Sequence, residues 1–400
     1  MWLVPALRFP EFTGEWKRIR VSDLLDFYST NSLSWEQLEY ESNEPYNLHY
    51  GLIHVGLPTL VDLTKDKLPN IKDGNVPKKY ELCKEGDIAF ADASEDTNEV
   101  AKVVEFYNLD GKKVVCGLHT IHGRNNKGQT SKGFLGYCFS STVFHNQIRR
   151  IAQGTKIYSI NTRNFSEVFV GLPSKSEQHK IATLLRLIDE RISTQNKIIE
   201  KLETLIKGIV ELAFSHAATS NTLGCYITQI SQRNKTGKDL PVLSVSNKHG
   251  FVEQSEQFED RIIASDDTSN YKIVDINDFA YNPARINVGS IARLKDKECG
   301  IVSPMYICFR TSKDILPEYL ELFFKTVTFS FEVGKRLEGS VRLCLSYESL
   351  CEIVIPIISI REQQSLVKMV TTFHSKLDVE KGFLSSYQSQ KQCLLSQMFI

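Results

Sequence analysis

The 400-residue sequence lacks net charge: 48 lysines and arginines stand against 48 aspartates and glutamates. No global field then draws the chain onto a polyanion, and any nucleic-acid surface must be locally basic. Its nine cysteines include no C-x-x-C pair and no Cys/His cluster at zinc-finger spacing. They read as reduced, mostly buried thiols of a cytosolic protein, with no metal site of their own. No run of eighteen apolar residues occurs, and Met1–Phe12 lacks the charged-then-apolar order of a secretory leader, so neither a membrane span nor export by that route is expected. There is no Gly-x-Ser-x-Gly elbow, and no glycine-rich loop after a strand that would seat a methyl-donor cofactor. With 42% hydrophobic residues the chain can still bury cores in two or three domains, which excludes a disordered tail protein.

Three near-motifs are weaker than they look. Gly123-Arg-Asn-Asn-Lys-Gly-Gln-Thr130 falls one residue short of a phosphate-cradling loop, with Gln129 where the lysine belongs. Tyr281-Asn-Pro-Ala284 lacks the second proline and following aromatic of a base-flipping methyltransferase loop. His119 and His122 are three apart, but no neighbouring carboxylate or thiol is evident in the sequence to complete a metal set.

What is present is a long internal repeat. Gly154 matches Gly339 and Phe214 matches Phe399 at one ungapped offset of 185 residues. Gly-Thr-Lys-Ile-Tyr-Ser-Ile (154–160) aligns with Gly-Ser-Val-Arg-Leu-Cys-Leu (339–345), then Phe165-Ser-Glu-Val with Leu350-Cys-Glu-Ile. Each copy reads as a short strand leading to a helix that opens on a capping box, Ser174-x-x-Glu177 and Ser359-x-x-Glu362. Spacings of four and three then run through Ile181, Leu185, Ile188, Ile192, Gln195, Ile199, Leu202, Ile206, Ile209 and Ala213, a coiled-coil seam. The second copy runs Leu366, Val370, Phe373, Leu377, Glu380, Leu384, Tyr387, Lys391, Leu394 and Met398, a poorer stripe weakened by Gly382. The expectation is an antiparallel intramolecular pair in which Gln195 and Glu380 approach and set register; the plainer alternative is two amphipathic helices on separate cores. From Glu177 to Phe214 the first helix would be roughly 57 Å long, a spacer.

Residues 1–153 and 216–338 mix short strand-like runs with polar loops, as in Gly86-Asp-Ile-Ala-Phe-Ala91 and Asn277-Asp-Phe-Ala-Tyr-Asn282. The predicted class is α+β with a pseudo-twofold internal repeat: two β-rich domains, 1–153 and 216–338, alternating with strand-plus-helix regions 154–215 and 339–400.

The opening Leu7-Arg-Phe-Pro-Glu-Phe-Thr-Gly-Glu-Trp16, then Phe90-Ala-Asp-Ala-Ser-Glu-Asp96, Gly117-Leu-His-Thr-Ile121, Asn282-Pro-Ala-Arg-Ile-Asn-Val-Gly289 and the two Glu-Gln helix starts at 177–178 and 362–363 resemble specificity subunits of Type I restriction-modification systems. The resemblance follows block order along nearly the whole chain. The second domain departs from it, opening at Thr222-Leu-Gly-Cys225 without a tryptophan lead. It implies two target recognition domains, each reading half of a split double-stranded DNA sequence, separated by two long antiparallel coiled-coil helices. It implies no active site and no cofactor on this chain. S-adenosylmethionine, ATP and magnesium are then expected on partners in the cytoplasm, namely two methyltransferase subunits and restriction/translocase subunits. The outer helix face, with Lys180, Arg191 and Lys197, is the expected dock.

Candidate DNA contacts follow from side-chain chemistry. In the first domain they are His119, Arg124, Lys127, Gln129, Thr130 and Lys132; in the second, Arg233, Lys235, Lys238, Arg285 and Asn287. Lys156, Lys335, Arg336 and Arg342, just before the long helices, are candidates for phosphate contact. The plain alternative for each cation is a solvated surface charge. Two other function classes stay open: a coiled-coil interaction scaffold without DNA, and a nucleotide hydrolase built on residues 123–130.

Overall fold

The computed structural model describes residues 4–215, 219–254, 268–339 and 342–400. Ser340 and Val341 of the second repeat block lie outside them. The fold is α+β, and the chain divides into two compact units: residues 1–197 with 382–400, and residues 198–381.

The first unit is built on a five-stranded sheet in the order Asp26–Tyr28, Thr120–Arg124, Ile88–Ala91, Val103–Asn108, Leu60–Asp62, antiparallel except for its last pair. Strand alternation explains why Ile88–Ala91 is buried throughout. Ile88 and Phe90 face a core shared with helices, where Phe90 meets Phe139, Phe144 and Phe165, while Ala89 and Ala91 face a second core with Val61 and Phe106. A four-stranded sheet, Val114–Cys116, Tyr46–Leu48, Asn70–Ile71, Leu38–Glu39, completes the unit's β structure beside two small paired ribbons.

The second unit repeats this logic with less sheet. Ile227–Ile230, Ile307–Thr311, Phe279–Tyr281 and Ile291–Arg293 form an antiparallel sheet, and Gly250–Glu253, Val242–Ser246, Cys299–Val302 and Lys272–Asp275 form a mixed one whose central pair is parallel. Phe279 and Tyr281 face the helix-side core and Ala280 the other, as Ile88, Phe90 and the alanines do in the first unit.

The two long helices are Lys175–Ser215, of 41 residues, and Ile360–Gln397, of 38. In the first unit Ile181 and Leu185 pack in one core with Leu395, Met398 and Phe399. In the second, Ile206, Val210 and Phe214 pack with Leu366, Val370 and Leu377. Within each unit the early part of one helix therefore meets the late part of the other, the antiparallel sense. Lys391, which breaks the apolar stripe in sequence, is accommodated by an ion pair to Asp189 at 2.6 Å, and Asp189 also accepts from Tyr137 Oη at 2.8 Å. In the second unit Lys381 pairs with Glu203 at 2.8 Å. Gln195 and Glu380 are both buried, each 7% exposed.

The structural repeat starts earlier than the sequence shows. At the same offset of 185, the helix Thr142–Ile151 matches Val327–Arg336, and their caps Ser141 and Thr326 accept the N–H groups of Phe144 and Phe329. Further upstream, Ser131 N donates to Gln178 Oε1 at 2.8 Å, and its counterpart Leu316 N donates to Gln363 Oε1 at 2.9 Å. The two glutamines also donate to the matching carbonyls of Pro173 and Ile358, each at 2.9 Å. The glutamine of each Glu-Gln pair is thus a latch that fixes the preceding β domain to the start of its long helix.

The two capping boxes are not alike. In the second, Ser359 and Glu362 close on each other: Glu362 N donates to Ser359 Oγ at 3.4 Å and Ser359 N to Glu362 Oε2 at 2.9 Å. In the first, Glu177 N donates to Ser174 Oγ at 3.4 Å, but the carboxylate has turned away. It accepts from Arg8 at 2.7 and 2.8 Å and from Trp16 Nε1 at 3.2 Å. The tryptophan lead of the first domain holds the helix start from outside, which the second domain, lacking that lead, cannot do.

Candidate nucleic-acid interface

Register decides which candidate residues share a surface. Thr120–Arg124 is buried at every position and pairs antiparallel with Ile88–Ala91, so His119 emerges at one end of the sheet and Asn125–Lys132 at the other. Five residues of strand separate these ends by roughly 17 Å. The basic loop expected from 119 to 132 is therefore not one surface.

At the loop end the cations are engaged within the fold. Arg124, expected to address DNA, is 6% exposed and donates to Asp87 at 2.8 Å through two nitrogens, to Glu81 at 2.7 Å and to Leu82 O at 2.7 Å. It is a core residue, its guanidinium held by two carboxylates and a backbone carbonyl. Lys127 Nζ is exposed but donates to Asp23 O at 2.6 Å, Lys132 pairs with Glu85 at 2.7 Å, and Thr130 Oγ1 accepts from Asn125 at 2.8 Å. Gln129 gives its carbonyl to Gln178, so residues 125–132 form the joint to the long helix. The near phosphate loop is thus a strand end plus a joint, followed by a helix of only six residues, Phe134–Phe139.

The opposite end is built differently. His119 adopts φ 54°, an uncommon left-handed conformation for a non-glycine, with its side chain 50% exposed between Asp92 at 3.1 Å and the Tyr50 ring at 5.2 Å. Gly117 permits this turn, because a Cβ there would lie 2.5 Å from Asn47 Nδ2 and 2.8 Å from Leu48 O. Tyr50 also meets His49 and His54, and Trp35, 46% exposed, lies 4.5 Å from the His49 ring. Burial lowers the His49 imidazole below its usual value, and His119 adds to the effect, so a neutral ring is favoured there. Asp92 O also receives Ile160 N, which brings in the tight turn Gly154–Ile157 that carries exposed Lys156. Gly154 has φ 142°, and any Cβ on it would lie 1.9 Å from Ile157 O, so only glycine allows the turn.

The second unit brings more of its candidates to the matching end. Asn282 organises a turn after Phe279–Tyr281 by accepting Ala284 N at 3.0 Å, and Arg285 and Asn287 stand exposed on it. Leu345 N donates to Pro283 O at 3.1 Å, the counterpart of Ile160 to Asp92, so exposed Arg342 reaches the same end. The strand Ile227–Ile230 runs antiparallel to Ile307–Thr311 and also exits there. It leads to Arg233, bonded to Asn270 at 2.9 Å, and to a turn held by buried Asn234 that exposes Lys235 and Lys238. Lys335 and Arg336 are instead paired with Glu332 at 2.9 and 2.5 Å. Among the described residues Lys156, Lys235, Lys238, Arg285 and Arg342 have no ion-pair partner, which leaves their charge available to an anion.

Trp35, His49, Tyr50, His54 and Asp92 were not picked out from sequence. The short His-Tyr-Gly-Leu-Ile-His run at 49–54 is the one signal that pointed to them. A second departure concerns His122: Cys83 and Cys116, distant in sequence, both lie against it, whereas the sequence showed no thiol near it.

Residues 111–204 match the family described as the Type I restriction modification DNA specificity domain. The chain is 22% identical over 301 residues to the specificity subunit of the Type I restriction enzyme EcoKI of Escherichia coli K12, covering 67% of this chain and 64% of that protein. Less than two thirds of that relative is thus spanned. The fold of a Type I restriction-modification S subunit from M. genitalium superposes with a TM-score of 0.56 at 18% identity over 99% of both chains. A chain from a structure describing complex assembly and conformational transition of the type I R-M system gives 0.58 at 14% identity, over 95% of this chain and 96% of that one. Among the described residues no helix is long and apolar enough to cross a membrane. Two unlike β domains latched by the same glutamine to repeated long helices, with a specificity-domain match across the first of those joints, make this chain similar in sequence pattern and fold to the specificity subunits of Type I restriction-modification systems.

Proposed function

We propose that the chain is the sequence-reading, non-catalytic subunit of a cytoplasmic Type I restriction-modification complex, recognising a bipartite double-stranded DNA target with a fixed nonspecific gap. The observation that carries this reading is the shared frame with unlike tips. Equivalent sheet ends, fixed by equivalent latches, present His119, Tyr50, Trp35 and Lys156 in one unit and Arg233, Lys235, Lys238, Arg285, Asn287 and Arg342 in the other. Arginine can address guanine and asparagine adenine bidentately, while the unpaired lysines suit phosphate. Methyl transfer and cleavage are then supplied by two methyltransferase subunits and by restriction/translocase subunits, which carry S-adenosylmethionine, ATP and magnesium. Gln195 and Glu380 set the register of the helix pair, and exposed Lys180, Arg191 and Lys197 lie on the docking face.

The test is to co-express the chain with its methyltransferase and map methylated adenines across the host genome. One split motif with a constant gap is expected, and seven residues added to both long helices should lengthen that gap. A stable complex that adds no methylation would favour the scaffold reading.

A further inference from the structure

Three buried donors of the first unit form a cluster that DNA reading does not use. A sulfur each from Cys83 and Cys116 and a ring nitrogen of His122 lie within 4.8 Å of one another, and the residues are 6%, 2% and 0% exposed. The two sulfurs are 3.6 Å apart. That is well beyond a disulfide bond of about 2.05 Å and close to the spacing of about 3.8 Å between two thiolates that share a tetrahedral ion with metal–sulfur bonds of about 2.3 Å.

The histidine has one ring nitrogen held and the other without a partner. Its Nε2 meets Asp87 Oδ2 at 2.7 Å, and Asp87 is gripped in turn by Arg124 at 2.8 Å. Its Nδ1 is buried and has no hydrogen-bond partner among the described residues. A carboxylate that fixes one ring nitrogen leaves the other as a basic, pre-aimed donor, the usual outer support of a metal-bound histidine. Charge also closes: two thiolates balance a dication, and Asp87 balances Arg124, so no net charge is buried. Of the three residues, Cys116 lines a cavity of about 400 Å³ together with Asn31, Asn75, Tyr80 and Glu81, so open space lies beside one member of the cluster.

We propose that Cys83, Cys116 and His122 bind one divalent cation of the zinc class. The donors come from different parts of the fold. Cys116 ends a strand of the four-stranded sheet, His122 lies within the five-stranded sheet, and Cys83 follows the bridge residue Leu82. Bound metal clasps the two sheets of the first recognition unit at the base of the strand that carries His119.

The experiment is metal analysis of the full chain, purified reduced and loaded with either zinc or cobalt(II) alone. One equivalent of zinc per chain is expected, with a cobalt spectrum of intense tetrahedral d–d bands and thiolate charge transfer. Cys116→Ser and His122→Gln should each lower retained zinc at least tenfold, while Cys225→Ser and Cys393→Ser, at exposed thiols, leave it unchanged. The cobalt spectrum of the unaltered chain tests the site even if a variant fails to fold. Absence of a thiolate–cobalt band, metal lost only with Cys225 or Cys393, or a Cys83–Cys116 disulfide in the reduced preparation's peptide map would overturn the proposal.

Discussion

The two units make the same joint with opposite chemistry. In the first, Glu105 sits opposite Ile88 on its strand and its carboxylate accepts Gly133 N at 2.5 Å and Gly136 N at 2.8 Å. In the second, the residue in the matching place opposite Phe279 is Arg293. It donates to Glu318 at 2.6 Å and Glu321 at 3.1 Å, which stand 185 residues after those two glycines. An acid facing backbone donors has been exchanged for a base facing acids, and the strand-to-helix contact survives. What the repeat preserves is therefore the position of the joint, and side-chain charge is free to invert so long as each buried group keeps a partner.

The largest expected asymmetry lies at the helix starts. Glu177→Ala strands the Trp16 N–H and the Arg8 guanidinium and should cost about 2–4 kcal/mol. Glu362→Ala removes only a solvent-exposed half-cap and should shift unfolding far less. Tryptophan fluorescence during urea unfolding reports the first case, since all three tryptophans lie in the first 35 residues; hydrogen exchange of 360–364 reports the second. Equal losses would break the comparison.

The inverted joint should respond oppositely to pH. Burial pushes the Glu105 carboxyl up to about 7, against the pull of Gly136 and Gly133 N–H, from an ordinary value of 4.5. The folded state then holds that proton more tightly than the unfolded chain, so its contribution is full below about pH 4.5 and is lost as pH rises through 7. Burial also acts to raise Glu321, but Lys325, Lys295 and Arg293 together bring it below its usual value. Its contribution is present above the unfolded value and fades as pH falls through the depressed one. Moving from pH 7.5 to 5.5 should therefore raise the fluorescence-detected midpoint of the first unit and leave the hydrogen-exchange protection factors at 291–293, corrected for the intrinsic pH dependence of exchange, unchanged. Glu105→Gln, with one amide oxygen for two N–H donors, should cost about 1–3 kcal/mol and abolish that rise.

Where the units agree, the losses should agree. Gln178→Ala and Gln363→Ala each orphan one latch N–H and should cost about 1–2 kcal/mol apiece; a difference beyond that range would show that the latches are not equivalent. The smallest effect on folding and the clearest on binding belongs to Arg285→Ala, expected to weaken target DNA by about 1–3 kcal/mol with an unchanged unfolding midpoint. Arg124→Ala should do the reverse, lowering stability before binding is affected.

The elements that repeat as hydrophobic or capping patterns were legible in the sequence: both long helices, the Ser-x-x-Glu starts and the 185-residue offset. The equivalence of Glu105 with Arg293 was not, because it lives in strand register while the residues themselves are opposite in kind. Arg124 misled for a related reason: a lone arginine beside asparagine and glycine reads as surface until Asp87 and Glu81, some forty residues away, arrive beside it. The Tyr50 and Trp35 shelf escaped because aromatics in a loop-rich segment carry no period.

Each long helix gives its two halves to different units, and this has a consequence for birth order on the ribosome. Residues 198–381 are one contiguous stretch and have their whole core once the last of them emerges, whereas residues 1–197, made first, still await Leu395, Met398 and Phe399. At about 5–20 residues per second, the roughly 180 intervening residues take on the order of 10–40 s. The earlier-made half thus spends that interval without the contacts of Trp16 and Phe134 to Phe399, a window for chaperones or for misassembly that closes once residues 395–399 have emerged.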